Sequence, residues 1–251
     1  MQKLIFILIF IIPCLQLQAQ EKTNKEQRLT HYVHAGINIG ALAPIGIPNT
    51  IRKIESYSPM FNPSIGYEVS YRIDEKWAVG SGIKFEYKGM KIKDSVIYFH
   101  TLVTMESGGQ TSEFEGDFSG HNSTTAHNAY LTIPVHTIFT PGKYWHYRLG
   151  VYFAFLLDAR FDGTVTNGYI RKGNSLGEKV TIQEASFDFK EVEKTFDFGF
   201  QAGAGRSIGK KFGIDGTLSW GVIPIFPSSF QGMSFPMYNI FFNLGASYRL
   251  F

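Results

Sequence analysis

Ile65-Gly66-Tyr67-Glu68-Val69-Ser70-Tyr71-Arg72-Ile73 runs through Asp74-Glu75-Lys76 into Trp77-Ala78-Val79-Gly80-Ser81-Gly82-Ile83-Lys84-Phe85-Glu86-Tyr87-Lys88. In each half the large apolar residues recur with a period of two. In an extended chain they therefore share one face, while glycines and charges share the other. Two such runs joined by three polar residues read as a β-hairpin.

The same alternation recurs along the chain. Val33, Ala35, Ile37 and Ile39 oppose His34, Gly36, Asn38 and Gly40, and Leu131, Ile133, Val135, Thr137 and Phe139 form another such run. Pro141-Gly142-Lys143 turns that strand into Trp145 to Phe155. Phe196 to Gly205 turns at Gly209-Lys210 into Phe212 to Trp220, and Ile240 to Leu250 makes a last strand. Eight strands follow, joined alternately by short turns and by long segments at about 41–62, 89–128, 158–194 and 222–237. An all-β, eight-stranded antiparallel up-and-down transmembrane β-barrel has this rhythm, with short periplasmic turns, long extracellular loops and both termini in the periplasm.

A secreted barrel of the lipocalin kind has the same strand number with the greasy face inward. Three features weigh against it: the glycine-rich charged face, the aromatics at strand ends, and the length of the four loops. Tyr71, Trp77, Phe139, Trp145, Phe212 and Tyr248 are expected near one interface, and Tyr87, Tyr130, Phe196, Trp220 and Tyr238 near the other. Two positions break the pattern. Pro134 lacks a ladder donor, which predicts a bulge or kink. Tyr152, Ala154 and Leu156 put apolar groups on the polar face, which predicts a small hydrophobic layer inside the mouth.

Composition allows one large domain, or at most two small ones. The 251 residues are 44% hydrophobic, 16% aromatic and 18% charged, with 26 Gly and one Cys. Lys plus Arg is 24 against 21 Asp plus Glu, without charge runs, so nucleic acid is not an expected partner. Residues 1–19 have Lys3, an apolar run from Leu4 to Leu15 and a small residue at Ala19, the pattern of a cleaved secretory signal peptide. Pro13 argues against Cys14 as a lipidation site. Cleavage removes Cys14, and with it any disulfide, thiol nucleophile or thiolate metal site. Residues 20–30 read as a flexible periplasmic lead-in, and 31–251 as the barrel domain.

Tyr130-Leu131-Thr132-Ile133-Pro134-Val135, the Gly150 strand, Phe196-Asp197-Phe198-Gly199 with Gly203 and Gly205, and the closing Tyr248-Arg249-Leu250-Phe251 resemble the PorT-like outer-membrane β-barrel family of Bacteroidota. The family pattern carries an acidic residue where Thr132 stands. The resemblance implies an outer-membrane location and a part in type IX secretion, brings no catalytic residues, and likens Phe251 to the terminal aromatic read by the barrel-assembly machinery.

Without a cysteine in the mature chain, the histidines are the residues best suited to chemistry. His121-Asn122-Ser123 superficially resembles the His-x-Ser of lipid A deacylases, but falls in what reads as a polar loop. His31, His34, His136 and His146 lie on separate strands without ligand spacing, so they read as lumen or interface histidines. No catalytic, cofactor or metal site is expected. Glu68, Arg72, Lys84, Glu86, Arg148, Asp197, Asp215 and Arg249 are expected to pair inside the lumen as a polar plug. Ile45, Ile47, Ile51, Ile54 and Tyr57, and the segment from Val222 to Met237, are too apolar for solvated loops. They either pack over the mouth or meet a partner.

The functional expectation is a non-enzymatic structural or interaction component with three kinds of partner: outer-membrane lipid, the barrel-assembly machinery during insertion, and secretion-complex proteins through the outer loops. Two alternatives stand beside it, a rim enzyme acting on lipid A or peptide, and a small-ligand-binding or narrow-channel barrel.

Overall fold

A computed structural model of the protein describes residues 28–107 and 110–251, and the signal peptide lies outside the described residues. The period-two pattern becomes eleven antiparallel strands in one sheet. They are β1 (Leu29–Ala43), β2 (Ile51–Pro59), β3 (Pro63–Arg72), β4 (Trp77–Ser107), β5 (Gln110–Phe139), β6 (Trp145–Asp158), β7 (Phe161–Lys172), β8 (Lys179–Asp188), β9 (Phe196–Ile208), β10 (Phe212–Gly221) and β11 (Tyr238–Arg249). Among the described residues the first strand begins at Leu29, paired with Tyr71, two residues before the position the sequence suggests for the start of the barrel.

The count of eight is therefore corrected to eleven, and the correction falls on the expected loops. Eight strands are those read from the alternation. Their ladders run from β1 to β3, β4, β5, β6, β9, β10 and β11, and from β11 back to β1. That circuit leaves no open edge. The segment 41–62 contains β2, and 158–194 contains the β7–β8 hairpin. The segment 89–128 is the far half of β4 and β5, whose pairing continues, with one register shift between Val96 and Phe99, as far as Ser107 and Gln110. Only 222–237 carries no strand.

Around the circuit the apolar residues face outward. Leu149 is 67% and Phe200 57% exposed, while Glu86 is 2% and Lys88 0% exposed. A lipocalin-like arrangement would show the reverse, so that alternative falls. The main apolar core sits outside the circuit, beyond the rim. Val96, Phe99 and Val103 of β4 pack there with Phe118 of β5, Phe161, Val165 and Ile170 of β7, and Ile182 and Phe187 of β8. β8 touches β4 again at Thr104 and Ser186, which wraps the four strands around this core. A second, small cluster of Tyr130, Tyr152, Ala154 and Leu156 forms the layer expected inside the mouth.

Pro134 does not produce a bulge. Ser81 pairs with Val135 and Lys84 with Thr132 in one unbroken register, and the two positions between them form no pair. Gly82 stands opposite this gap. A Cβ there would lie 2.0 Å from the Tyr67 carbonyl oxygen, so the bare backbone lets β3 close against β4 where the proline weakens the other side.

Candidate functional site: a cross-linked lumen and the structure above it

The inward side chains form two layers. Nearer the short turns, Arg148 of β6 reaches Asp215 of β10 at 2.8 Å and Glu68 of β3 at 4.0 Å. Glu68 also faces His34 at 3.5 Å and His136 at 3.4 Å, and His146 lies 2.7 Å from Asp215. Gln201 donates to Nδ1 of His136 at 3.1 Å, which leaves the ring proton on Nε2, toward Glu68.

Nearer the long segments, Glu86 takes Lys84 at 2.8 Å and hydrogen bonds from Thr132 at 2.8 Å and Asn38 at 3.0 Å. Lys88 lies 3.7 Å from Glu86 and 3.9 Å from Asp197, with its Nζ over the rings of Tyr152 and Tyr130 at 4.6 and 5.2 Å. Tyr152 and Asn239 donate to Asp197 at 2.9 and 3.0 Å. Every strand of the circuit contributes a side chain to one of these layers.

Of the eight expected plug residues, the structure brings together six: Glu68, Lys84, Glu86, Arg148, Asp197 and Asp215. Arg72 and Arg249 are corrected. They line an open mouth of about 840 Å³ at the short-turn end, with Arg28, Lys76, Lys143 and Lys210. Among the described residues neither makes an ion pair with a carboxylate, because at the strand ends water already solvates them. Asn38, Thr132, Gln201 and Asn239 join the layers beyond the expected set, and so does one buried charge, Lys88. Its parity with Lys84 and Glu86 was visible, but it fell at the expected boundary of a loop. Tyr130 is corrected too: it is buried in the lumen rather than set in an aromatic belt, because it shares the inward parity of Thr132 and lies opposite Glu86. The turn-end aromatics do cluster outward, with Trp77 against Phe139 at 4.7 Å and Phe212 against Tyr248 at 5.0 Å.

The glycines of the polar face make room for these layers. A Cβ on Gly205 would fall 2.2 Å from both Asp215 Oδ1 and His146 Nε2, and one on Gly80 2.8 Å from His136 Nε2.

Above the rim, the two loops judged too apolar behave differently. Ile225, Phe226 and Met237 are buried in the outer core, whereas Ile45, Ile47, Ile54 and Tyr57 are exposed and only Ile51 packs against it. His121 lies on β5, not in a loop, and meets Glu55 of β2 and Ser95 of β4. Ser95 donates to Glu55 Oε1 at 2.5 Å, His121 Nδ1 lies 2.8 Å from the same oxygen, and Ser95 Oγ is 3.4 Å from that same Nδ1. A relay needs the carboxylate and the hydroxyl on different ring nitrogens. Here both meet Nδ1, and the serine proton is directed to Glu55. Asn122 and Ser123 complete the motif without joining the cluster: Asn122 points to the other face, at Asp94. Among the described residues no group of three or more His, Cys, Asp or Glu is arranged to hold a metal. His31 stands apart on the wall, 2.5 Å from the Tyr67 hydroxyl.

The model of the outer membrane protein beta-barrel domain matches residues 18–227, most of the chain. The chain belongs to that family. It is a protein of the outer membrane, which accounts for an apolar face turned outward over a charged interior. No curated protein matches it. Among solved structures, the attachment invasion locus protein Ail of Yersinia pestis matches at 11% identity and TM-score 0.32, over 88% of this chain and 97% of that one. Ail in complex with the heparin analogue sucrose octasulfate matches at 12% and 0.33, with the same coverage. The transport unit of the autotransporter AIDA-I from Escherichia coli matches at 8% and 0.18, over 96% of each chain.

Proposed function

We propose that this chain is a closed, non-conducting and non-catalytic eight-stranded barrel of the outer membrane, a structural or interaction component that carries a β-structured platform on the cell surface. The observation that carries this reading is the pair of side-chain layers crossing the lumen. An eight-stranded barrel is just wide enough for side chains to fill it, and here ion pairs from opposite walls meet in the middle. The short turns face the periplasm. The far halves of β4 and β5, with β2, β7 and β8, stand outside the cell. Membrane lipid surrounds the wall, the barrel-assembly machinery inserts it, and partner proteins meet the outer face at Ile45, Ile47, Ile54 and Tyr57, which are exposed beyond the rim.

The PorT-like resemblance carries the reading one step further, to a part in type IX secretion or envelope assembly. Deleting the gene and comparing the extracellular and surface proteomes tests this. Loss of many exported proteins supports the secretion role, and an unchanged secretome overturns it. Conductance of the purified barrel in planar bilayers tests closure: no channel events are expected, and steady ohmic steps would refute it. The absence of a catalytic role is supported by the Nδ1 wiring of His121. Ser95→Ala should leave lipid A and surface peptides unaltered, and a changed lipid A profile would establish the rim enzyme instead.

A further inference from the structure

Beyond the rim, among β1, β2, β4, β5 and the 222–237 segment, lies a cavity of about 260 Å³. Its wall is apolar and includes Leu42, Met90, Ile92, Phe99, Phe161 and Met237. Native cores keep few voids larger than a water molecule, and an engineered apolar cavity of about 150 Å³ already takes up benzene. A space of this size, lined in part by Met90, Met233 and Met237, whose flexible side chains adapt to a guest's outline, is suited to being filled.

One patch of the wall is polar. Asn122, only 8% exposed, donates one Nδ2 hydrogen to Asp94 at 2.8 Å and the other to Thr124 at 3.1 Å. The amide orientation is fixed by this pairing, since the atom that faces a carboxylate must be the donor. Asn122 Oδ1 is then left buried without a partner. A buried acceptor without a donor is costly, and among the described residues no donor reaches it. Asp94 is pushed up to about 6 by burial, reinforced by the nearby charge of Glu55 and opposed by the bond from Asn122. At neutral pH it is therefore mainly a second acceptor. Asn122 Oδ1 and Asp94 both ask for a hydrogen-bond donor, and the charge of Asp94 disfavours a carboxylate guest. Ile47, Ile54 and Tyr57 line the cavity and are also exposed, which puts its mouth at the outer surface between the 44–50 segment and β2.

We infer that this cavity is a binding site for a small apolar molecule, aromatic or single-chain, whose hydrogen-bond-donating head, a hydroxyl or an amine, sits against Asn122 and Asp94. The guest enters from outside the cell and leaves the lumen layers untouched.

The test uses the full mature protein in lipid nanodiscs, titrated with the fluorescent amine 1-aminoanthracene and with anthracene, its headless analogue. Empty nanodiscs serve as the partition control. Saturable 1:1 binding of the amine is expected, displaced by dodecylamine and 1-dodecanol and at least tenfold less well by dodecanoate. Asn122→Leu should weaken the amine at least tenfold while leaving anthracene within twofold, a split that general loosening of the cavity would not give. Ala41→Trp, which fills the cavity from β1, should abolish binding of both probes while the unheated protein keeps its compact position on a denaturing gel. Uptake equal to that of empty nanodiscs, equal displacement by dodecanoate, or parallel loss of both probes in Asn122→Leu would overturn the assignment.

Discussion

Arg148 touches carboxylates from two other strands, Glu68 and Asp215, and is nearly enclosed. Removing one partner of a buried pair costs about 3–5 kcal/mol, because the remaining charge stays buried. Arg148→Met should lower unfolding stability by that order in detergent–urea titrations, and Arg148→Met/Asp215→Asn should recover part of it. A single variant as stable as the parent would show that water, not the pair, satisfies Asp215. Gly205→Val should be harsher, since its side chain would occupy the space of the Asp215–His146 contact; loss of the compact unheated band is the expected readout. The lumen layers were legible in the sequence wherever parity alone decides direction, as at Glu68, Glu86 and Asp197. They were illegible at the strand ends, because alternation says which way Arg72 and Arg249 point but not that water already reaches them. The Asn122 acceptor was hidden for another reason. Its environment is made by strands that the sequence presents as loops.

β4 and β5 are about 30 residues each, roughly 100 Å of extended chain at 3.3 Å per residue, and only their inner halves belong to the circuit. The outer halves are not legible in the sequence because the two faces there change character, with apolar and polar side chains mixed on the inward one. Lys91, Lys93 and Ser95 take the outward positions there and end the greasy alternation of the wall, although the backbone ladder continues through them. The 222–237 segment packs onto this extension, and Glu193, just before β9, sits at their junction. Asn128 donates to its Oε2, while Oε1 is buried without a partner. Burial pushes Glu193 up to about 7, against the opposing bond from Asn128. With the folded value above the ordinary one of about 4.5, the protonated form supports the fold. That stability is complete below about 4.5 and is lost as pH rises through about 7. Hydrogen exchange corrected for intrinsic rates should therefore show residues 158–194 and 222–237 opening more at pH 8 than at pH 5.5. Glu193→Gln should flatten the difference, and an unchanged pH dependence in that variant would clear Glu193 of the effect.

At the scale of the whole molecule, the single cysteine, Cys14, lies in the expected signal peptide, so introduced cysteines report topology cleanly. A membrane-impermeant maleimide should label Leu176→Cys, at the tip of the β7–β8 hairpin, in intact cells, and Lys210→Cys, in the β9–β10 turn, only after lysis. The reverse pattern would turn the barrel over. The circuit itself is joined by β1 and β11, where Tyr32 lies opposite Arg249, the His31 N–H donates to the Phe251 carbonyl at 3.1 Å and the Leu250 N–H donates to the His31 carbonyl at 2.8 Å. The first and last strands thus arrive at one point on the same rim, a few residues from each other. A short linker from Phe251 to Arg28 would turn the wall into an endless loop, and cutting it at Lys210 would give a circular permutant that begins with β10 and ends with β9 yet draws the same ring.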